Sequence, residues 1–167
     1  MLHYYQKVIA IFEETLNPLH PYIATAYSNI SGAYMRLGEF QASFDYQKKA
    51  FDIRETIFDA KHPKVALSYD KLGVAYRNIG NYEKALKYQL NAMEVIEEIL
   101  TPDHPWKGYV YGNLAQTYFK MNSFKKAIDY QKKAIKNLEL ALQEDHPKLI
   151  EAKEKLGVYQ KASIERQ

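Results

Sequence analysis

Four of the five histidines in this 167-residue chain are each followed by proline, at His20-Pro21, His62-Pro63, His104-Pro105 and His146-Pro147. Imidazole is the side chain best suited to acid–base work near neutral pH and to holding transition metals. Four of them would make a zinc site if their nitrogens converged to about 2 Å from one ion. Two further surpluses bear chemistry. The 15 tyrosines offer rings for stacking bases, and Lys48-Lys49, Lys125-Lys126 and Lys132-Lys133 offer paired cations.

Spacing decides among these chemistries. Successive His-Pro pairs are always 42 residues apart. A fixed period of about 20–50 residues marks a repeat architecture. Helices pack at about 8–10 Å, so equivalent atoms of successive helical repeats are too far apart to share an ion. No metal site is therefore expected. The pairs are expected to punctuate the array, since proline suits the first turn of a helix. Asp103 and Asp145 are candidate caps beside two of the pairs, whereas Leu19 and Lys61 cannot cap. The imidazoles are expected to pack or hydrogen-bond in the loops between repeats.

Composition narrows the function classes. There is no cysteine, hence no disulfide framework and no thiolate chemistry. The N-terminal MLHYYQKVIAIFEETL mixes charged and apolar residues and does not read as a signal peptide. No stretch approaches the roughly 20 apolar residues of a membrane span, so a cytoplasmic location is expected. The net charge of +3 is too small to argue for nucleic acid. The lysine pairs stand near Asp45, Asp52, Asp129 and Glu139, as on a solvated helix face. No phosphate-cradling glycine loop, His-Glu-x-x-His or glycine-flanked serine is present, so no enzyme and no cofactor are expected. The Asn29-Ile30-Ser31 triplet lies mid-helix and reads as chance.

Three full repeats are placed at 20–61, 62–103 and 104–145, with half repeats at 1–19 and 146–167, as one domain over 1–167. The first part of each full repeat carries an apolar stripe at helical spacing: Ile23, Tyr27, Ile30, Tyr34, Leu37, then Val65, Tyr69, Leu72, Tyr76, Ile79. The third stripe is Tyr111, Leu114, Tyr118, Met121, with Lys107 breaking its first place. Gly38, Gly80 and Asn122 follow as helix stops, being the residue types that tolerate left-handed backbone. A second helix then runs over 40–58, 82–100 and 124–142. It carries small residues in two columns, Ala50, Ala92, Ala134 and Ser43, Ala85, Ala127, where helix backbones can approach closely. Ten tyrosines fall in repeat columns, which argues for helix packing over base stacking. Gln47, Gln89 and Gln131 form a column expected to be a hydrogen-bonded polar row.

With Tyr111, Asn113-Leu114-Ala115, Tyr118, Phe124, Ala127 and Ala134 in register, the chain resembles the tetratricopeptide repeat family. Its 42-residue period and closing loop TPDHP are similar to the longer, kinesin-light-chain-like subclass. The resemblance implies an all-α, right-handed α-solenoid of antiparallel helix pairs, a tetratricopeptide superhelix. It also implies a non-catalytic scaffold that binds a peptide segment of a partner in a concave groove lined by the first helices. The exposed inner columns would then be Thr25, Leu67, Tyr109; Ser28, Asp70, Gly112; Gly32, Val74, Gln116; Met35, Arg77, Phe119; and Arg36, Asn78, Lys120. The candidate peptide-binding residues are Arg36, Leu67, Arg77, Asn78, Tyr109, Gln116, Phe119, Lys120 and Lys161. Arg36, Arg77, Lys120 and Lys161 would form a basic line beside apolar patches, suiting an acidic peptide with apolar anchors. The lysine–asparagine pair that clamps a terminal carboxylate in some members is absent, with Ser28/Gly32, Asp70/Val74 and Gly112/Gln116 in its place.

The ends carry expectations too. The apolar face of the first helix, Val8, Ile9, Phe12 and Leu16, can pack on the next repeat, but its other side lacks a neighbour, which reads as a truncated end or one covered by a partner or second copy. The stripe fades through Leu149, Lys153, Leu156, Gln160 and Ser163, as in a polar capping helix at a native end. Two alternatives stand beside peptide binding: a scaffold that dimerises through its N-terminal helix, and a regulatory module docking on an enzyme or a nucleic-acid-binding domain.

Overall fold

Each His-Pro pair opens a helix in the computed structural model, which describes residues 2–166. Met1 and Gln167, the outermost residues of the expected domain, lie outside the described residues. Among the described residues there are eight helices and no strand: α1 Leu2–Thr15, α2 Pro21–Arg36, α3 Phe40–Ile57, α4 Pro63–Asn78, α5 Tyr82–Ile99, α6 Pro105–Lys120, α7 Phe124–Ala141 and α8 Pro147–Glu165. The second helices stop one residue short of the expected spans 40–58, 82–100 and 124–142.

The histidines, rather than Asp103 and Asp145, are the caps. Nδ1 of His20, His62, His104 and His146 accepts the backbone N–H of Tyr22, Lys64, Trp106 and Lys148 at 3.1–3.2 Å. Proline at the next position has no N–H to satisfy, so one imidazole serves the first free donor. Asparagine-like capping by a ring nitrogen escaped the sequence reading because histidine is not a usual N-cap.

Helix stops follow the expected chemistry. Gly38, Gly80 and Asn122 have φ of 78°, 83° and 57°. The next backbone N–H, from Glu39, Asn81 or Ser123, returns to the carbonyl of Tyr34, Tyr76 or Tyr118 at 2.9–3.0 Å. That is a Schellman closure, which satisfies a carbonyl left over at the helix end. Leu37 and Ile79, expected as the last stripe positions, are the cap residues themselves and are exposed.

The chain divides within α5 into two compact units, 1–88 and 89–167. In the first, α1 packs on α2, α2 on α3 and α3 on α4. Ile9, Ile23, Tyr27, Ile30, Ala50 and Ile53 form one buried cluster, and Phe51, Leu72, Tyr76 and Ala85 another. In the second, α6 packs on α7 and α7 on α8. Val110, Leu114, Ala127, Ala134, Leu138 and Leu149 are buried there. The tyrosine columns pack as pairs. Tyr34 stacks on Tyr46, Tyr76 on Tyr88 and Tyr118 on Tyr130, with centroids 5.3–5.6 Å apart. Offset stacks of this kind contribute about 0.5–1.5 kcal/mol beyond their buried area.

Lys107 does not break the third stripe. It is 5% exposed, and its Nζ is 3.0 Å from Glu97. Glu97 belongs to a column, Glu13, Glu55, Glu97, Glu139, that the sequence reading passed over. The Tyr27 hydroxyl donates to Glu13, the Tyr111 hydroxyl to Glu97, and Lys153 pairs with Glu139 at 3.0 Å. Burial, reinforced by the Glu13 hydrogen bond, raises the Tyr27 phenol well above its ordinary range. One carboxylate thus ties each of α1, α5 and α7 to the helix that follows it.

The last helix buries Leu149, Ala152 and Tyr159. Its other face is mixed rather than polar throughout, with Ile150, Val158 and Ile164 exposed.

Candidate functional site

The face of interest is carried by the first helices, and each unit presents its own part of it. In the first unit, Arg36 is exposed in the last turn of α2, with its guanidinium 3.9 Å from where a Gly32 Cβ would stand. Leu67, Arg77 and Asn78 on α4 are half-buried. Ser28 and Asp70, expected among the exposed columns, are buried instead. Ser28 Oγ donates to Gln47 Oε1 at 3.3 Å and accepts from Lys71 Nζ at 3.1 Å. Arg54, 6% exposed, bonds neutral oxygens in this neighbourhood: Ser68 Oγ at 3.0 Å and the Ala24 carbonyl at 3.4 Å. Burial lowers the pKa of Arg54, and burial followed by Arg54 repulsion lowers that of Lys71.

In the second unit a cavity of about 310 Å³ opens between α6, α7 and α8. From α6 come Tyr109, Gly112, Asn113 and Gln116; from α7, Gln131, Ala134 and Leu138; from α8, Lys148, Glu151, Ala152 and Lys155. Tyr109 is 39% exposed at this cavity, and Gln116 is half-buried. On the α8 side, Glu151 accepts from Lys148 at 2.9 Å and from Lys155 at 2.6 Å. Those two hydrogen bonds, Lys155 first, hold its carboxyl down at about 2.

Phe119, Lys120 and Lys161 stand outside that lining. Phe119 packs its ring on Tyr159 at 4.5 Å and edge-on to Phe124 at 5.6 Å, so it is engaged in the helix contact. Lys120 is exposed at the end of α6, and Lys161 is exposed on α8 with Glu165 at 3.9 Å. Of the nine candidate residues, Tyr109 and Gln116 are brought together in one depression. The reading from sequence missed Gln131, Lys148, Glu151 and Lys155. The available signal was the glutamine column with glycine at 112 where the first full repeat has Ser28.

The same register of the repeat, 126 residues earlier, forms a second depression of about 250 Å³ between α1 and α2. Tyr5, Val8, Phe12, Tyr22, Thr25, Ala26 and Asn29 line it. Its walls are almost wholly apolar, where the later one is rimmed by charge.

Among the described residues no helix is long and apolar enough to cross a membrane. No curated protein matches the chain in sequence. Solved structures of similar fold include the nearly identical TPR-like repeats described as a putative kinesin light chain from Podosopora anserina. They are 20% identical with a TM-score of 0.80, over 99% of this chain and 79% of that one. A single-substitution variant of the same repeats gives 21% and 0.82, over 99% and 78%. BtubC (BKLC) from P. vanneervenii is similar at 20% identity and a TM-score of 0.79, over 95% of this chain and 63% of that one. The apo form of RapI is similar at 17% and 0.70, over 83% and 48%. These likenesses are in fold, an all-α tetratricopeptide solenoid. The tetratricopeptide repeat profile itself matches residues 1–56, 22–88 and 65–140, and on that span the chain belongs to the tetratricopeptide repeat family.

Proposed function

We propose that the chain is a non-catalytic scaffold in the cytoplasm that binds a peptide segment of a partner protein on the face carried by its first helices. The observation that carries this is the open cavity of about 310 Å³, which takes Tyr109 and Gln116 from that face into its lining. Arg36 and Arg77 in one unit, and Lys120 and Lys161 in the other, supply cations at the ends of first helices and on α8. A ligand with acidic residues and apolar anchors suits that set. The test is partner capture by the full chain and by an Arg77→Glu, Lys120→Glu double variant. Capture is expected to be lost while helicity and melting stay unchanged. Capture that survives both reversals removes the basic line from the account.

Self-association through α1 is the second reading. It is favoured by Tyr4 at 73% and Ile11 at 56% exposure, next to the apolar depression between α1 and α2. Light scattering over a concentration series, with Ile11→Lys as control, tests it. A strict monomer at high concentration excludes it.

A further inference from the structure

α1 stands in the register of the second helices α3 and α7, and α8 in that of the first helices α2 and α6. Each departs from its register along one face. Ala50 and Ala134 are buried, as are Ile53 and Asn137, but their counterparts on α1, Val8 and Ile11, are 38% and 56% exposed. α8 departs in the complementary way. Ala24 and Gly108 are buried, as are Ser31 and Ala115, but their counterparts Ile150 and Gly157 are exposed. In the α2–α3 and α6–α7 pairs these two faces meet. Ser31 Oγ donates to the Ser43 carbonyl at 2.8 Å, and the Gly108 N–H to Asn137 Oδ1 at 2.7 Å. A helix of the first kind thus covers one of the second kind, and among the described residues α1 has no such cover. The depression between α1 and α2 bears this out. It is lined from two helices, whereas its counterpart 126 residues later takes a third wall from α6.

We infer that α8 of a second copy of this chain covers α1, joining copies head to tail. The inference rests on the reading of self-association through α1 and names the surface that α1 meets. Register sets the contact. Ile150 takes the place of Gly108, and Ile11 and Phe12 those of Asn137 and Leu138. Three apolar side chains therefore meet where α6 and α7 share a hydrogen bond. Val158, 56% exposed, takes the place of Gln116 and enters the apolar depression beside Tyr5, Val8 and Phe12. Removing these side chains from water drives the association. No loop ties the two helices, so their spacing can widen for Ile150 within the range of about 8–10 Å that packed helices adopt. The contact joins two different surfaces, so every assembly keeps one α1 and one α8 free and growth does not stop at a dimer.

The test is sedimentation equilibrium of the full chain and of two variants, Ile11→Lys and Ile150→Lys, alone and mixed. Both residues are exposed, so helicity and melting should match the parent chain. The parent is expected to gain mass with concentration and to pass beyond a dimer. Each variant alone should stay at the mass of a monomer, since one has lost its α1 surface and the other its α8 surface. An equimolar mixture should reach twice that mass and no more, because each variant keeps the surface the other has lost. A mixture that stays monomeric overturns the inference. Association of Ile150→Lys by itself also overturns it, but leaves self-association through α1 standing as a contact of α1 with α1. Association of Ile11→Lys by itself removes α1 from the contact and overturns both. A parent chain that is monomeric at every concentration likewise removes both.

Discussion

The glutamines at 47 and 131 occupy one place in the repeat and are bonded in opposite senses. In the first unit the carbonyl end of Gln47 takes a hydroxyl and its Nε2 is left over. In the second, Nε2 of Gln131 takes a carbonyl and Oε1 is left over. The residue beside them decides, Ser28 in one unit and Gly112 in the other. The same contrast recurs nearby. Arg54 stands where the second unit has Leu138, and Ala66 where it has Gly108. A repeat column fixes where a side chain lies, and its neighbours fix what it does there.

The largest expected effect is one the units should share. Leu72 and Leu114 hold the same column and are fully buried. Leu72→Ala and Leu114→Ala should each cost about 2–5 kcal/mol in denaturant unfolding. A cost under about 1 kcal/mol at either would break the equivalence of the columns.

Gly108 should separate the units. An added Cβ would lie 2.7 Å from Leu138 Cγ and 2.9 Å from Asn137 Oδ1. Its N–H also donates to Asn137 at 2.7 Å. Gly108→Ala should therefore cost about 1–3 kcal/mol by overpacking, although alanine is the native residue at 24 and 66. Thermal melts that show stabilisation, as expected of a glycine replaced in an open helix, would contradict the close approach.

Arg54→Leu should be neutral or stabilising by about 1 kcal/mol, since it exchanges a desolvated cation on neutral partners for the aliphatic residue that the last full repeat carries at Leu138. Destabilisation beyond that would mean that Arg54 organises Ser68 and Ala24 rather than merely tolerating them.

Among these effects the caps are smaller and should be uniform. His62→Ala and His146→Ala should each cost about 1 kcal/mol, the usual worth of an N-cap, with amide exchange in the first turn of α4 or α8 rising accordingly. The smallest effect depends on pH. The folded pKa of Glu151 is depressed to about 2, so the stability it adds is present above its ordinary value near 4.5 and is lost as pH falls toward 2. Glu151→Gln should flatten that limb of a stability-against-pH curve by lowering stability slightly at neutral pH, where the half-exposed pairs act, and leaving the acid end unchanged.

Much of the fold was legible because the period printed each structural decision several times. Glycine and asparagine stops, alanine columns and stacked tyrosines are all choices of residue type that one helix geometry allows. What escaped were decisions made between side chains. The imidazole caps replace a carboxylate that the sequence also offers at Asp103 and Asp145. Lys107 is buried by a partner, Glu97, ten places away. The cavity was less legible still. Tyr109 and Gln116 could be placed on its face by register, but its floor depends on what is missing at Gly112, and its rim on how Lys148 and Lys155 close on Glu151.

The central claim is that ligands are read by the first-helix face while the columns beneath it hold the array. Chemical-shift mapping on the full chain, with a peptide selected from a random displayed library, tests it most directly. The account predicts perturbations concentrated at Leu67, Asn78, Tyr109, Gln116 and Lys120. Perturbations centred instead on Tyr4 and Ile11 of α1, or on the lysine pairs of α3 and α7, would contradict it.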